Sequence, residues 1–567
     1  MPSLNVIELN IILAVLGAFI ILYGSISVKI KNVWYLGEAL PAVIFGIILG
    51  PVAAKFIDAE RWGAAVANQK DDITLGMARV VIGVQLVIAG FQLPAKYQMR
   101  RWKEMLLCLL PIMTVMWLCT TGCILIAIPN LTLLAALVIG SCVTCTDPIL
   151  SQAIAKGPFA DKYVARDLRE IISSEAGAND GFGFPFLMLA TYLIRYADVP
   201  GAGNPENLHK RAGEVGRLGG GVGKAIEMWV VFTWLYTVLM SVAYGAICGY
   251  GSCRLMKFCL RKKWVDNESY LLWPTALGLF ILGTCGCLGT DDLLACFVAG
   301  NALNWDGGYL AETEARHDEV NSCVDVLLNF GGFMYIGAII PWEEFDQPEY
   351  GITYPRLVGL GFLVLFLRRL PAIMAFYKLM PSVCKNWKEA LFMGYYGPIG
   401  VGAVFYLEHA RHLFPEFGEG DEEETNLIRA LSPVVYWLVF FSIVVHGLSI
   451  PIHNIIYKFA GVNPIVDSAG PVEIRPLSRR MSLPKNSTQN EKRNSVTVYN
   501  QFSRSLSQQN EHQSIWDRPL VANERGRDDQ RPEQYEFQPV ESRGPSRPRR
   551  ETSIKFGTER RYGGDMV

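Results

Sequence analysis

Long apolar segments recur through the first 460 residues of this 567-residue chain and constrain what it can fold into. A helix needs about 20 mostly apolar residues to cross the hydrocarbon core of a bilayer. By that criterion we expect an all-α polytopic membrane protein with about thirteen transmembrane helices, the ninth short enough to be tilted or half-buried. The expected spans are Val6–Val28, Val33–Ala53, Ile73–Leu93, Met105–Ile128, Leu131–Ala155, Ile171–Ile194, Ala225–Cys248, Tyr270–Leu288, Asp291–Trp305, Val320–Ile340, Leu357–Phe376, Ala390–Tyr406 and Ile428–Tyr457.

Composition supports a membrane protein and argues against other classes. Apolar residues make up 51% of the chain, charged residues make up 19%, and the mean hydropathy is positive. A soluble protein of this size normally carries more charge. The formal net charge of -1 creates no global field that would attract nucleic acid. Because the sequence contains no nucleotide-binding fingerprint or nucleophile triad, we expect no enzyme activity and no cofactor, with the lipid bilayer as a partner.

The distribution of charge between loops predicts an orientation. The short loops after the first, third, fifth, seventh and eleventh spans are rich in Lys and Arg. The loops PWEEFDQPEYG (341–351) and FPEFGEGDEEETN (414–426) follow the tenth and twelfth spans and are strongly acidic. Because Lys and Arg are enriched in cytoplasmic loops, we expect the N-terminus outside and the C-terminal tail in the cytosol. The loop 195–224 is an exception, because it is basic but lies outside in this orientation. Its length weakens its influence on the orientation.

The chain changes character at about residue 461, which we take as a domain boundary. Residues 461–567 are polar, rich in Arg, Ser, Gln and Pro, and show no apolar period. Such a segment cannot bury enough surface to offset chain entropy. We therefore predict a transmembrane domain over 1–460 and a cytosolic, largely disordered tail over 461–567. Paired arginines precede Ser482 and Ser553, which would suit regulatory kinases and other regulatory proteins, although ordinary low-complexity sequence explains the pattern equally well.

The expected fifth span carries an acid at bilayer depth, in SCVTCTDPILSQAI (141–154). A charged group at a helix centre costs about 3 kcal/mol or more and usually faces a cavity or a partner. Here Asp147 lies between Thr146 and Pro148, and the proline frees backbone carbonyls near the carboxylate. Carbonyl, hydroxyl and carboxylate oxygens are hard ligands that suit a small alkali cation. A purely structural kink would need the proline but not the acid beside it.

The expected sixth span contains a second acidic cluster, SSEAGANDGFGFPF (173–186). Glu175 and Asn179 are i,i+4 and share a helix face, while Asp180 lies about one-third of a turn around. Asp180 has no basic neighbour in its own turn, so it needs a proton, a cation or a distant arginine.

Two arginines stand within the expected eleventh span, FLVLFLRRLPAIMAF (362–376). A buried arginine stays protonated and must be paired, and Glu175 is the best candidate partner. The sequence does not decide whether Arg368 or Arg369 points inward, although we slightly favour Arg368.

Two further segments bear on the fold. Asp291 and Asp292 open the ninth span in GTDDLLACFVAG, where a helix cap explains them about as well as a transport role. The segment LFMGYYGPIGVGAVFY (391–406) contains glycines and a proline over 397–402 and reads as an interrupted helix. Together with the interruption at 146–148 it predicts inverted repeats with a binding site near the bilayer midplane.

These motifs carry a resemblance to a known family. The segments TDPILSQAIAKGPFADKYVARDLREIISSEAGANDGFGFPF, GTDDLLACFVAGNALNWDG and FLRRLPA resemble fungal plasma-membrane alkali-cation (Na+)/H+ antiporters of the cation/proton antiporter superfamily. The resemblance covers roughly 5–466. It implies the Na+/H+ antiporter fold, with a core and a dimerisation domain, two interrupted crossing helices, and a homodimer that works by an elevator-like shift.

The resemblance also implies roles for individual residues. Asn179 and Asp180 match the ion-binding pair of the family, with Asp180 as the principal carboxylate for cation and proton. Thr146 and Asp147 match the unwound part of the first crossing helix, so Na+ would bind at Asp180 and Asp147.

The remaining charged residues match supporting positions. Glu175 with Arg368 or Arg369 matches a structural ion pair, and Asp291 with Asp292 matches an accessory acidic pair of the fungal branch.

The function that follows is exchange of Na+, and also Li+, for H+ across the plasma membrane by competition for buried aspartates. K+ remains an open substrate, and a K+-selective antiporter shares nearly every feature of the sequence. A cation channel is a weaker alternative because it could also use intramembrane acids. A non-transporting sensor is disfavoured, since a scaffold gains nothing from buried acids and two helix breaks.

Overall fold

The computed structural model describes residues 8–58, 69–155, 158–200, 202, 209–211, 213–316, 318, 320–461, 472–474, 487–490 and 495–498. Within them, eight helices are long and apolar enough to cross a membrane, and three shorter helices are also apolar. The polytopic helical architecture expected from the sequence is therefore confirmed. The expected number of thirteen is not established, because several of the expected spans are short or interrupted.

Helices of the first half are mostly short pieces joined by breaks. π-Helical turns extend two of them, at Lys29–Val33 after α1 and at Cys108–Ile112 between α5 and α6. The helices are α1 (Glu8–Val28), α2 (Ala39–Leu49), α3 (Gln69–Phe91), α4 (Tyr97–Arg100), α5 (Trp102–Leu107), α6 (Met113–Ala127), α7 (Leu133–Cys142), α8 (Pro148–Ala155), α9 (Pro158–Tyr163), α10 (Arg166–Gly181) and α11 (Phe184–Arg195).

The second half contains the longest helices. A π-helical stretch, Trp229–Leu239, joins α12 to α13, and 3₁₀ turns lie at Trp342–Phe345, Pro348–Tyr350 and Tyr377–Leu379. The helices are α12 (Gly221–Met228), α13 (Met240–Lys262), α14 (Asn267–Leu288), α15 (Asp292–Leu303), α16 (Gly308–Ala315), α17 (Val320–Ile339), α18 (Tyr354–Leu367), α19 (Leu370–Phe376), α20 (Trp387–Tyr395), α21 (Val401–Arg411) and α22 (Glu422–Phe459).

Both interruptions predicted from the sequence are present, and they meet. The first break separates α7 from α8 over residues 143–147, and the second separates α20 from α21 over residues 396–400. The backbone N–H of Asp147 donates to the carbonyl of Pro398 at 2.9 Å. Backbone groups freed in one break are therefore satisfied by the other, which is how irregular backbone is tolerated at membrane depth.

The expected span Ile171–Ile194 is not one helix, which corrects the sequence prediction. It divides into α10 and α11 at Phe182 and Gly183. Pro185, in the first turn of α11, has no N–H to donate to the preceding turn. At the break itself, the N–H of Gly183 donates to the hydroxyl of Tyr406 at 3.0 Å. The stretch passed for a single helix because its apolar residues continue across the break.

Close backbone contact holds α15 inside the helical assembly. A Cβ added to Gly245 of α13 would lie 2.4 Å from the carbonyl oxygen of Ala295, and one added to Gly249 would lie 2.2 Å from that of Ala299. Small residues spaced by four let helix backbones approach in this way. Leu293, the second residue of α15, is fully buried. The ninth expected span is therefore a short buried helix, as its length indicated.

Short strands supplement the helices. β1 (His209–Arg211) and β2 (Gly213–Val215) form an antiparallel hairpin between α11 and α12, with His209 opposite Val215. In the tail, β3 (Val472–Ile474), β4 (Ser487–Asn490) and β5 (Ser495–Val498) form an antiparallel sheet in the order β3-β5-β4. The rest of the tail after residue 461, including a second unit over Glu511–Val567, lies outside the described residues. Disorder of the tail therefore stays a prediction.

Replacing Gly249 with leucine should force α13 away from α15, because its Cβ would collide with the Ala299 carbonyl. Overpacked contacts cost about 1–3 kcal/mol or more, so the melting temperature of the purified protein in detergent should fall. A Cβ at Gly251 of the same helix meets nothing within 4 Å. Gly251→Leu should therefore leave the melting temperature unchanged, and equal losses in the two variants would contradict the close packing.

Candidate functional site

Asp147 connects the two helix breaks through its side chain as well as its backbone. Its Oδ1 accepts from the N–H of Leu150 at 2.9 Å, and its Oδ2 accepts from the N–H of Val401 at 2.8 Å. Leu150 lies in the first turn of α8, and Val401 begins α21. One carboxylate therefore faces the N-terminal ends of two half-helices, where unpaired N–H groups and the helix dipoles stabilise negative charge. Asp147 is buried.

Gly400 at the end of the second break and Gly402 in the first turn of α21 let bare backbone approach both aspartates. A Cβ added to Gly400 would lie 2.2 Å from Oδ2 of Asp147, and one added to Gly402 would lie 2.6 Å from Oδ1 of Asp180. A side chain at either position would collide with a carboxylate. The same short segment therefore contacts Asp147 and Asp180, and brings the two carboxylates into one region as the sequence predicted.

Asp180 is buried without a donor for its carboxylate. Its exposure is 1%, and among the residues that the structure describes no group hydrogen-bonds to Oδ1 or Oδ2. Its backbone carbonyl accepts from the hydroxyl of Tyr406 at 2.6 Å. An ionised carboxylate buried in this way is strongly unfavourable unless a proton or a cation neutralises it. The group is therefore suited to bind and release a positive charge.

Asn179 joins α10 to the first break by a reciprocal pair of hydrogen bonds. Its Nδ2 donates to Oγ1 of Thr146 at 2.8 Å, and its Oδ1 accepts from the N–H of Thr146 at 3.1 Å. The two bonds together fix which way the amide points. Asn179 thus positions Thr146, the residue before Asp147, and its amide oxygen already accepts a backbone N–H.

The structural ion pair involves Arg369, so our preference for Arg368 was wrong. Nη1 of Arg369 donates to Oε1 of Glu175 at 2.6 Å, and Nη2 donates to Oε2 at 2.8 Å. The Nε of Arg369 donates to the carbonyl of Met393 at 2.9 Å. Both side chains are buried. This bidentate pair satisfies a buried guanidinium and ties α10 to the joint between α18 and α19, and the bond to Met393 adds α20.

Arg368 instead donates to backbone carbonyls of both breaks. Its Nη1 contacts the carbonyls of Val143, Thr144 and Cys145 at 2.7, 3.0 and 3.1 Å, and its Nη2 contacts the carbonyl of Gly397. Carbonyls that a helix break frees need donors, and a guanidinium offers five. The sequence suggested these carbonyls as cation ligands, but in this structure they accept hydrogen bonds from Arg368.

The accessory acids differ from each other. Oδ1 of Asp291 caps α15 by accepting from the N–H of Leu294 at 3.0 Å, while its Oδ2 is buried with no partner among the described residues. Asp292 accepts from Nε and Nη2 of Arg79 at 2.8 and 2.5 Å. The capping interpretation therefore holds for Asp291, and Asp292 belongs to an ion pair.

Sequence reasoning missed Arg79 and Tyr406. A lone arginine within the apolar run 73–93 was the available signal for Arg79. Tyr406 gave none, because a tyrosine near a span end also suits the membrane interface.

Known proteins resemble this chain over most of its membrane part. A family model described as the transmembrane sodium/hydrogen exchanger matches residues 15–453. A Na(+)/H(+) antiporter of Saccharomyces cerevisiae is 36% identical over 462 residues, which are 79% of this chain and 44% of the relative. A probable Na(+)/H(+) antiporter of Schizosaccharomyces pombe is 38% identical over 448 residues, 77% of this chain and 55% of the relative. The chain thus spans about half the length of these two relatives.

A shorter relative and a solved structure extend the comparison. Another Na(+)/H(+) antiporter of Schizosaccharomyces pombe is 31% identical over 455 residues, which cover 79% of this chain and 91% of that protein. The structure of the sodium proton antiporter MjNhaP1 from Methanocaldococcus jannaschii at pH 8 aligns with a TM-score of 0.53 at 15% identity. The alignment covers 78% of this chain and 100% of the other. It shows a shared fold.

Glu175→Gln should destabilise the protein, because it leaves the buried guanidinium of Arg369 without a counter-charge. Breaking a buried pair costs about 3–5 kcal/mol, which a thermal unfolding scan in detergent would detect. Arg101→Ala is the matched control, since its pair with Asp167 at 3.1 Å is partly exposed and should contribute about 1 kcal/mol or less. A smaller loss for Glu175→Gln than for Arg101→Ala would contradict the role of the pair.

Proposed function

The chain belongs to the sodium/hydrogen exchanger family, and from this premise we propose that it exchanges Na+ for H+ across a membrane. Asp180 and Asp147 are the carboxylates for which the cation and the proton compete. The buried carboxylate of Asp180, with no donor among the described residues, is the observation that carries the proposal. The names of the relatives, Na(+)/H(+) antiporters of two yeasts, support it.

Competition follows from the burial of Asp180. A carboxylate removed from water is stabilised either by a proton or by a cation, and one proton excludes the cation from the same oxygens. Asp147 and the Thr146 hydroxyl supply further oxygen ligands for Na+. An ionised carboxylate offers about four lone-pair sites, so Asp147 can bind Na+ while it accepts from amides. Na+ therefore binds when Asp180 is ionised and leaves when Asp180 is protonated.

The other site residues position this pair. Asn179 fixes the position of Thr146, and Arg368 donates hydrogen bonds to backbone carbonyls of the breaks. The ion pair of Glu175 with Arg369 holds α10 beside the second break. Asp291 and Asp292 are accessory, the first as a cap and the second as the partner of Arg79.

Transport requires the site to face each side of the membrane in turn. Two breaks that meet within the helical assembly suit alternating access, in which one part of the protein moves against the other. We assign the chain to the plasma membrane, with the N-terminus outside, the tail in the cytosol and an elevator-like movement within a homodimer. The basic loops and the two acidic loops support this orientation. Li+ follows Na+ as a substrate, and K+ is the alternative.

Flux in reconstituted vesicles tests the proposal. A pH-sensitive dye inside the vesicles should report proton movement when Na+ or Li+ is added outside, and K+ shows whether the exchanger is K+-selective. Asp180→Asn should reduce Na+-dependent proton movement to background, because its side chain can no longer exchange a proton. Asp147→Asn should do the same by removing a cation ligand.

Glu227→Gln is the matched control, since the Glu227 side chain is 60% exposed and pairs with Lys224 outside the site. It should transport like the unaltered protein when reconstituted in equal amount. Normal exchange by Asp180→Asn would refute the assignment. Cation current without proton movement would identify a channel instead.

A further inference from the structure

Two side chains of α22 contact backbone atoms in the second break and in the residue just before it. The helix is 38 residues long, and Ser442 and His446 lie one turn apart on it. Both are buried, with exposures of 4% and 5%. Neither residue belongs to the motifs from which the cation site was inferred.

Ser442 satisfies an amide that the break leaves without a helical partner. The N–H of Ile399 donates to Oγ of Ser442 at 2.7 Å. Ile399 follows Pro398, whose carbonyl accepts from the N–H of Asp147, and precedes Gly400, which touches the Asp147 carboxylate. The serine therefore holds the middle of the segment that approaches Asp147.

His446 holds the other end of the break, at the end of α20. Its Nε2 lies 3.1 Å from the carbonyl oxygen of Tyr395, and its Nδ1 lies 3.1 Å from Oγ of Ser442. Tyr395 is the last residue of α20, where carbonyls lack helical partners.

One of the two neutral tautomers of His446 satisfies both the Ser442 hydroxyl and the Tyr395 carbonyl. In a neutral ring with the proton on Nε2, His446 donates to Tyr395 and accepts from the Ser442 hydroxyl. The hydroxyl oxygen then accepts from Ile399. The other neutral tautomer would donate to the Ser442 carbonyl at 3.0 Å but would leave the Tyr395 carbonyl facing an unprotonated nitrogen. We assign the first tautomer from this accounting.

We propose that Ser442 and His446 are positioning residues for transport, because they hold the second break in the shape that presents its backbone to Asp147. The inference rests on the proposed function for its effect on transport. Arg368 holds the Gly397 carbonyl, and Asp147 binds the Pro398 carbonyl and the Val401 amide. The serine and histidine add two further contacts to this segment, at the Ile399 amide and the Tyr395 carbonyl.

Ser442→Ala removes the acceptor for Ile399 and leaves its amide unsatisfied. A lost hydrogen bond of about 1 kcal/mol corresponds to about a fivefold change in an equilibrium constant. In vesicle flux, the KM for Na+ should therefore rise about fivefold while kcat changes little, since the ligand geometry around Asp147 loosens. Ser442→Thr keeps the hydroxyl and should restore the KM. His446→Ala should raise the KM similarly, and His446→Gln, which keeps an N–H donor, should restore part of it.

Ser449→Ala is the matched control on the same helix. Ser449 is equally buried, but its hydroxyl bonds the Tyr395 hydroxyl at 2.6 Å rather than the backbone of the break. Its KM should stay within about twofold of the unaltered protein, a difference worth about 0.4 kcal/mol. Equal KM changes in Ser442→Ala and Ser449→Ala, or no restoration by Ser442→Thr, would overturn the proposal.

A second measurement separates this inference from the proposed function. Hydrogen–deuterium exchange of the full-length protein in detergent reports the amides of residues 396–401 without any transport. Those amides should exchange about fivefold faster in Ser442→Ala and at the original rate in Ser449→Ala. Unchanged exchange in Ser442→Ala would overturn the positioning role. Absence of Na+-dependent flux in the unaltered protein, with the exchange difference present, would reject the proposed function alone.

Discussion

Breaking a helix inside a bilayer leaves backbone groups without partners, and this constraint governs the centre of the molecule. The two breaks partly satisfy each other, through the amide of Asp147 and the carbonyl of Pro398. Side chains satisfy further backbone groups: Asp147 accepts from amides and Arg368 donates to carbonyls. Ser442 accepts from one amide, and His446 donates to one carbonyl. Several of the polar side chains buried at this centre therefore stabilise irregular backbone. The end of the second break and the first turn of α21 also bring Gly400 and Gly402 close to the two carboxylates.

Buried carboxylates that have a basic partner differ in their consequences from one that has none. Glu175 pairs with Arg369 and Asp292 pairs with Arg79, so these charges are balanced within the protein. Asp180 has no such donor among the described residues, and under the proposed function its charge is balanced by a proton or a cation that binds and leaves. An antiporter needs both kinds of site: balanced pairs keep the framework in one shape, and an unbalanced carboxylate makes binding of one ion depend on release of another.

Local signals predicted much of this arrangement and long-range contacts explain the rest. The breaks carry proline and glycine, and acids within apolar runs stand out, so Asp147 and Asp180 could be found from the sequence. The choice between Arg368 and Arg369 could not, because the two residues lie at the joint between α18 and α19 and the partner lies 194 residues away. Ser442 and His446 belong to no motif that points to the site. Their partners are backbone atoms far along the chain, for which sequence leaves no mark.

The last helix reaches from the interrupted centre to the point where the described membrane part ends. At about 1.5 Å per residue, the thirteen helical steps from His446 to Phe459 span about 20 Å. A helix resists stretching along its axis, so tension on Phe459 is passed inward, while Pro451 on the way supplies a bending joint. A displacement of Phe459 along the helix axis would therefore reach His446 and, through it, the Tyr395 carbonyl before the second break.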